Sequence, residues 1–241
     1  MSSQPDNTQP GAVAVYCGSS TGTHQEFATA AQSVGKSLAV ANRPLVYGGG
    51  SKGIMGIVSG ACLENGGKVT GIVPYAMVTA GGEGEKTQNN ITVHLNEVGR
   101  EKTETIVVAS MHERKVEMAK RSEAFVGLPG GFGTFEEVLE VTTWTQLGIH
   151  KKPVILVNVL SFWEPLRQLV DSSIAYGFIK PISKEIIVFV DGPANHEEHA
   201  GFDWGSAVLR AIEEWNLRDD RPLFDWSKTL DGDSADALAS T

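Results

Sequence analysis

The chain is short of the features that place a protein in a membrane, a secretory route or a disulfide scaffold. No run of 18 or more apolar residues occurs in its 241, so no helix is expected to span a bilayer. The first residues, MSSQPDNTQPG, lack a basic start followed by an apolar stretch, and no secretory leader is expected from them. Cysteine is scarce: Cys17 and Cys62 are the whole complement, both in apolar segments, and they read as small buried hydrophobes in a reducing, cytoplasmic setting. Basic residues are outnumbered, 20 Lys and Arg against 29 Asp and Glu, for a formal net charge of −9. That balance argues against a nucleic-acid or anionic-membrane partner, while leaving room for a small anion held by local donors. Histidines are few and scattered; His196 and His199 share a polar Asn-His-Glu-Glu-His stretch read as a solvated turn, and no metal site is expected. The GxxxxGK[ST] pattern is missing, and Gly48-Gly49-Gly50-Ser51-Lys52-Gly53 meets the dinucleotide pattern GxGxxG only loosely. With 41% hydrophobic residues, the chain still has ample material for one large core.

That material is laid out as alternating strands and helices. Apolar runs at Ala12–Cys17, Pro44–Tyr47, Lys68–Pro74, Ala124–Leu128, Val154–Asn158 and Ile186–Val190 read as strands. Between them lie helices: one carrying Phe27, Ala30, Ala31, Val34, Leu38 and Ala41 at helical spacing, then Ile54–Leu63, 110–122, Thr134–Leu147, 162–176 and 203–216. Residues 78–100 break the rhythm, being polar and glycine-rich, with one edge strand expected at Ile91–Leu95. The alternation predicts βαβ crossovers and a single α/β domain over residues 12–217, a Rossmann-like, doubly wound, mostly parallel sheet with helices on both faces. The polar residues 1–11 and the acidic tail 218–241 are expected to fray.

In such a sheet, ligands bind beyond the carboxyl ends of the strands. Three of those exits are rich in Gly, Ser or Thr: Gly18-Ser19-Ser20, Gly48-Gly49-Gly50-Ser51 and Pro129-Gly130-Gly131-Phe132-Gly133-Thr134. Glycine lets backbone N–H groups approach a ligand closely, and a following helix adds unpaired donors and a positive dipole end, which together suit a phosphate. One such loop alone is equally a tight strand-to-helix turn; three in one domain point to an anion site. Thr134-Phe135-Glu136-Glu137 has the pattern of a capping box with Thr134 as N-cap, and the pattern recurs at Thr23–Glu26, Ser110–Glu113 and Ser161–Glu164. Glu137 differs from the others in lying behind the glycine loop, where a carboxylate repels a bound phosphate unless a cation stands between them. Arg114 and Lys115 are the candidates for that cation, Arg being the better clamp for an oxyanion. The plain alternative is a half-buried stripe of Met111, Lys115 and Met118 with Arg114 solvated beside it.

These segments resemble a known family. Tyr47-Gly48-Gly49-Gly50-Ser51, Met111-His112-Glu113-Arg114-Lys115-Val116-Glu117-Met118 and Pro129-Gly130-Gly131-Phe132-Gly133-Thr134-Phe135-Glu136-Glu137, with Cys17–Ser20 and Trp144–His150, are similar to the LONELY GUY (LOG) family of cytokinin-activating phosphoribohydrolases, long mislabelled as lysine decarboxylases. The likeness spans residues 12–190 and departs from the family at 79–100 and in the acidic tail. It implies hydrolysis of N6-substituted adenosine 5′-monophosphates to free base and ribose 5-phosphate, with AMP as a further candidate substrate and Arg114 and Glu137 as the catalytic pair. It also implies a substrate held by Ser19 and Ser20, by Gly48, Gly49 and Gly50, by Met111, Arg114 and Lys115, by Gly130, Gly131, Phe132, Gly133 and Thr134, by Glu136 and Glu137, and by Thr143. Glu97 joins them where a gap lets it match a substrate-contacting glutamate of the family. No metal and no cofactor is implied; a second copy of the chain is, as a homodimer or higher homo-oligomer.

The implied chemistry has a physical basis. Breaking the bond between ribose C1′ and the base builds positive charge on the sugar, and a fixed carboxylate beside it stabilises that transition state more than the neutral substrate. Arg114 is expected to hold Glu137 ionised. Two other readings stay open at this point. One is a nucleotide- or molybdenum-cofactor-binding carrier using the same loops without chemistry. The other is a pyridoxal phosphate decarboxylase, for which no lysine stands in a recognisable Schiff-base setting.

Overall fold

Strand β1 (Ala12–Tyr16) turns Val13 and Val15 to one face and Ala14 and Tyr16 to the other, and all four are buried. Both faces being covered is why the segment reads as an unbroken apolar run. The computed structural model describes residues 10–79, 93–94, 100–217, 224–226 and 237–240. After β1 the chain runs through α1 (Gln25–Val40), β2 (Leu45–Tyr47), α2 (Gly53–Glu64), β3 (Val69–Pro74), β4 (Val78–Thr79), β5 (Val93–His94) and β6 (Thr103–Val108). It continues through α3 (Met111–Arg121), β7 (Ser122–Gly127), α4 (Phe132–Leu147), β8 (Val154–Asn158), α5 (Glu164–Ala175), β9 (Ile187–Asp191) and α6 (Trp204–Glu214).

Seven strands form one parallel sheet in the order β6-β3-β2-β1-β7-β8-β9. The expected Rossmann-like α/β fold is therefore present. One core lies under α1, α2 and α6 and holds Leu38, Val58, Val126, Ile155 and Trp204; the other lies under α3 and α4 and holds Tyr16, Met118, Phe125, Val138 and Leu156. The chain moves outward from β1 through β2, β3 and β6, then returns to lay β7 against the opposite edge of β1. The strand order reverses there, and in such sheets ligands bind beyond the carboxyl ends of the strands at that point. The two exit loops are stitched together where Gly18 N donates to Pro129 O at 3.0 Å. A Cβ at Gly130 would stand 2.8 Å from Gly18 N, so the backbones meet with no space for a side chain.

Several expectations need correction. Strand β6 was not anticipated: as an edge strand it is largely exposed, and Thr103, Glu104 and Thr105 interrupt its apolar pattern. Of the four capping boxes, only that at Ser110 forms, with Ser110 Oγ accepting from Glu113 N at 3.1 Å and Glu113 Oε2 accepting from Ala109 N at 2.7 Å. Helix α4 starts earlier than expected, with Gly131 as its N-cap, and Thr134 is a buried residue of its first turn. His24 and Trp163, not Thr23 and Ser161, precede α1 and α5, and neither makes a side-chain cap. The edge strand expected at Ile91–Leu95 is described only at Val93 and His94, which pair with Val78 and Thr79 apart from the main sheet. Described parts of the tail are packed: Leu238 is buried in the α3/α4 core and Trp226 Nε1 donates to Leu147 O at 3.0 Å, closing the end of α4. His199 is likewise buried and hydrogen-bonded instead of solvated. Among the described residues no cluster of His, Cys, Asp or Glu is arranged to hold a metal, and no helix is long and apolar enough to cross a membrane.

Candidate functional site

Capping by Ser110 fixes the entry of α3 and sets Arg114 one turn in, above the ends of β2 and β3. Its Nε donates to Ile72 O at 3.2 Å, and its Nη1 stands 2.9 Å from Glu137 Oε1 on the second turn of α4. Both side chains are nearly enclosed, Arg114 12% and Glu137 7% exposed. Glu137 Oε1 receives no aligned hydrogen bond from a described residue, so the contact is one of charges rather than of a bidentate fork. Gly48 lies under the guanidinium: a Cβ there would come 2.3 Å from Arg114 Nη2. That close approach is the reason for glycine at this position.

Burial lifts the Glu137 carboxyl above the ordinary glutamate range; Arg114 pulls it back, Glu136 adds to the rise. The guanidinium acts in the expected direction, but desolvation outweighs it. Tyr16, the last residue of β1, is buried on the same side of the sheet. Its phenol is raised well above its usual range, first by burial and then by the charge of Glu137. Sequence reading passed over Tyr16. The signal was available: it ends a central strand, in alternation with Ala14, on the face that α4 covers.

Lys115 is engaged elsewhere. Its Nζ contacts Glu136 Oε1 at 2.7 Å and Glu140 Oε1 at 2.8 Å, tying α3 to α4. Burial would lower its pKa, yet the hydrogen bonds to the two carboxylates prevail and raise it. An ammonium held in that way is a poor source of the neutral amine that a Schiff base requires. Met111 opens α3 and is exposed. Thr143 lies two turns beyond Glu136 on the outer face of α4, exposed, with Oγ1 donating to Leu139 O at 2.8 Å. The structure thus brings Glu136 to Lys115 and Glu137 to Arg114, while the hydroxyl of Thr143 is engaged within α4. Glu97 lies outside the described residues.

The three glycine-rich exits do different things. At the β2 exit the first amides of the following helix are already used: Ile54 N donates to Ser20 O at 3.3 Å and Met55 N to Gly18 O at 3.2 Å. Gly49 there has φ +80°, and Gly50 is buried against Met55. The β7 exit is open. Gly131 and Gly133 have no atom within 4 Å of where a Cβ would stand, Phe132 is exposed, and the amides of Phe132, Gly133 and Thr134 precede the first helical bond, Phe135 N to Gly131 O at 3.0 Å. Ser19 and Ser20, on the β1 exit after Gly18, are exposed. Free donors at a helix start with small side chains around them suit an anion.

Arg100 is a second residue the sequence reading missed. Its guanidinium donates to Tyr47 OH at 3.1 Å, Ser59 Oγ at 2.6 Å and Gly56 O at 2.9 Å, anchoring the chain before β6 to α2 and to the tyrosine that ends β2. No local pattern announces such a role, because its partners are more than forty positions away.

Comparison with known proteins adds to this geometry. The model of a family described as possible lysine decarboxylase matches residues 55–199. Among curated relatives, LOG3 of Arabidopsis thaliana, named a cytokinin riboside 5′-monophosphate phosphoribohydrolase, is 46% identical over 176 residues, covering 73% of this chain and 75% of the relative. LOGL1 of Oryza sativa subsp. japonica, named a probable enzyme of the same activity, is 43% identical over 205 residues, covering 85% and 80%. Among solved structures, the molybdenum cofactor binding protein of Rippkaea orientalis superposes with a TM-score of 0.54 at 17% identity, covering 86% of this chain and 98% of that one. The Moco carrier protein of Chlamydomonas reinhardtii does so with a TM-score of 0.53 at 18% identity, covering 85% and 96%. At that level of identity the likeness to the two carriers is one of fold.

Proposed function

Because the chain belongs to the LOG family of cytokinin riboside 5′-monophosphate phosphoribohydrolases, we propose that it cleaves the N-glycosidic bond of N6-substituted adenosine 5′-monophosphates, and of AMP, to free base and ribose 5-phosphate. The observation that carries this reading is the enclosed Arg114–Glu137 pair beside the open start of α4. The 5′-phosphate sits on the free amides of Phe132, Gly133 and Thr134, with Ser19 and Ser20 opposite. The ribose then lies over Glu137. As the C1′–N9 bond breaks, its electron pair leaves with the base, the sugar becomes an oxocarbenium ion, and water delivers hydroxide to C1′ and a proton to the departing base. Glu137, as carboxylate, stabilises the cation and orients that water; Arg114 limits the rise of its pKa and fixes its position. Gly48 contributes by making room for Arg114, Gly49 and Gly50 by fitting the β2 exit against Val73 and Met55, and Lys115 by joining the two helices.

The test is incubation with isopentenyladenosine monophosphate, AMP and adenosine, separating base from sugar by chromatography. Both nucleotides should release base, and adenosine should react at least a hundredfold more slowly, since remote phosphate binding energy is spent at the reacting centre. Comparable turnover of adenosine and AMP contradicts the assignment of the α4 start.

A second copy of the chain belongs to the same reading. Phe132, Phe135 and Leu139 are 91%, 36% and 44% exposed and follow one another along α4 at helical spacing, with Thr143 continuing the stripe. So much apolar surface beside a catalytic pair favours burial in a homodimer, which would give Thr143 a place near the partner's site. Sedimentation should find the wild-type chain at least dimeric and Leu139→Asp monomeric and weakly active; a monomeric wild type overturns the interface. The two buried, unpaired thiols support a cytoplasmic setting.

A further inference from the structure

A second cavity, of about 460 Å³, opens on the α1 side of the sheet between the exits of β1, β8 and β9, and neither Arg114 nor Glu137 lines it. Its bed is apolar: Phe27 and Phe162 meet edge to face at 6.1 Å, with Leu160 beside them. Its rim is polar and includes His24, His196 and the carboxylates Glu26 and Glu197. One wall is built under strain. Leu160 and Ser161 are consecutive non-glycine residues in the left-handed region, φ 51° and 60°. Buried His199 holds them: Leu160 N donates to its Nδ1 at 3.0 Å while its Nε2 faces Pro193 O at 2.8 Å, so Nε2 carries the proton. Ser161 Oγ in turn meets His196 Nε2 at 3.1 Å, setting that imidazole over the opening.

The lining selects a ligand by chemistry. Two carboxylates and no Lys or Arg repel a phosphate. A flat ring carrying amino donors and an apolar arm suits the same surfaces: the ring and arm against Phe27, Phe162 and Leu160, the donors toward Glu26, Glu197 and the imidazoles. The reaction described above turns a phosphorylated nucleotide into one product of that kind and one that carries the phosphate. We propose that this cavity is a second site, taking the uncharged N6-substituted aminopurine base and refusing the nucleotide. The inference rests on the proposed activity for the identity of its ligand. Occupancy would be felt at the catalytic site through a short ring chain, since Phe162 lies 6.2 Å from Phe135 on the first turn of α4 and Phe135 in turn lies 6.3 Å from Phe132.

Equilibrium dialysis of the full-length Glu137→Gln protein with labelled N6-isopentenyladenine tests this, with and without saturating AMP. One equivalent of base per chain should remain bound under AMP and should not be displaced by isopentenyladenosine monophosphate. The double variant His196→Ala/Glu197→Gln, altered only at exposed positions of the short 3-10 turn after β9, should lose that equivalent at least tenfold in affinity while AMP binding changes less than twofold. Complete displacement of the base by AMP, competition by the phosphorylated nucleotide, or survival of the AMP-resistant equivalent in the double variant each overturns the second site. Failure of the activity itself shows differently: wild-type protein would leave nucleotide intact while the AMP-resistant equivalent of base persisted.

Discussion

Glu137→Gln is expected to lower kcat by roughly a thousandfold with the fold intact. A carboxylate about 4 Å from a developing positive charge, at an effective dielectric near 20, stabilises it by about 4 kcal/mol, and that difference is roughly three powers of ten in rate. The amide keeps the shape of the side chain and still offers an oxygen to Arg114, so nucleotide binding should change little, placing the loss in kcat and not in KM. Single-turnover base release measured beside near-ultraviolet dichroism separates chemistry from misfolding. A folded variant retaining a tenth or more of wild-type turnover would show that the carboxylate does not meet the sugar cation.

Arg114→Gln should be the second severe lesion, and its effect should depend on pH. The Glu137 carboxyl is raised on folding, chiefly by burial, so it ionises less readily in the native chain than in the unfolded one. Its ionisation therefore costs stability as pH climbs from the ordinary carboxyl range through the raised value, and nothing below that range. Activity runs the other way: a rate that needs the carboxylate falls as pH drops through the raised value, so the acid limb of kcat should lie above the ordinary glutamate pKa of about 4.3. Arg114 lowers this pKa, so its loss should move the limb further upward. Removing one partner of a buried pair costs about 3–5 kcal/mol while the other stays charged. The fall in melting temperature should accordingly be largest at alkaline pH and shrink as Glu137 protonates. An acid limb that does not move, or a stability deficit independent of pH, would mean that the guanidinium does not act on this carboxyl.

Both predictions concern residues already paired on the sequence, whose burial and closeness the fold supplies. The β1, β2, β3, β7 and β8 segments and the helices between them were legible because buried parallel strands carry unbroken apolar runs and their crossovers carry a helical period. The edge strand β6 was not, since one exposed face and a Thr-Glu-Thr start erase that signature. The capping pattern at Thr134 misled for a related reason: the chain enters α4 at Gly131, whose lack of a side chain leaves the first amides uncapped, so the helix begins a turn earlier and Glu137 faces Arg114. Lys115 shows the converse, a cation beside the site by sequence and claimed by Glu136 and Glu140 in space.

What the sequence alone determined is the class of architecture and the location of the candidate site: alternating periods specify a wound parallel sheet, and the glycine-rich exits with an Arg and a Glu mark the strand ends from which an anion site beside a carboxylate is proposed. These are local properties, written in spacing and residue type. Only the tertiary structure decided which of three similar loops keeps its amides free, that Gly48 is empty so that Arg114 can lie on it, and that Glu137 is buried enough to be reluctant to ionise. Each of those depends on desolvation and close approach between segments tens of residues apart, and such energies arise only when the chain has folded.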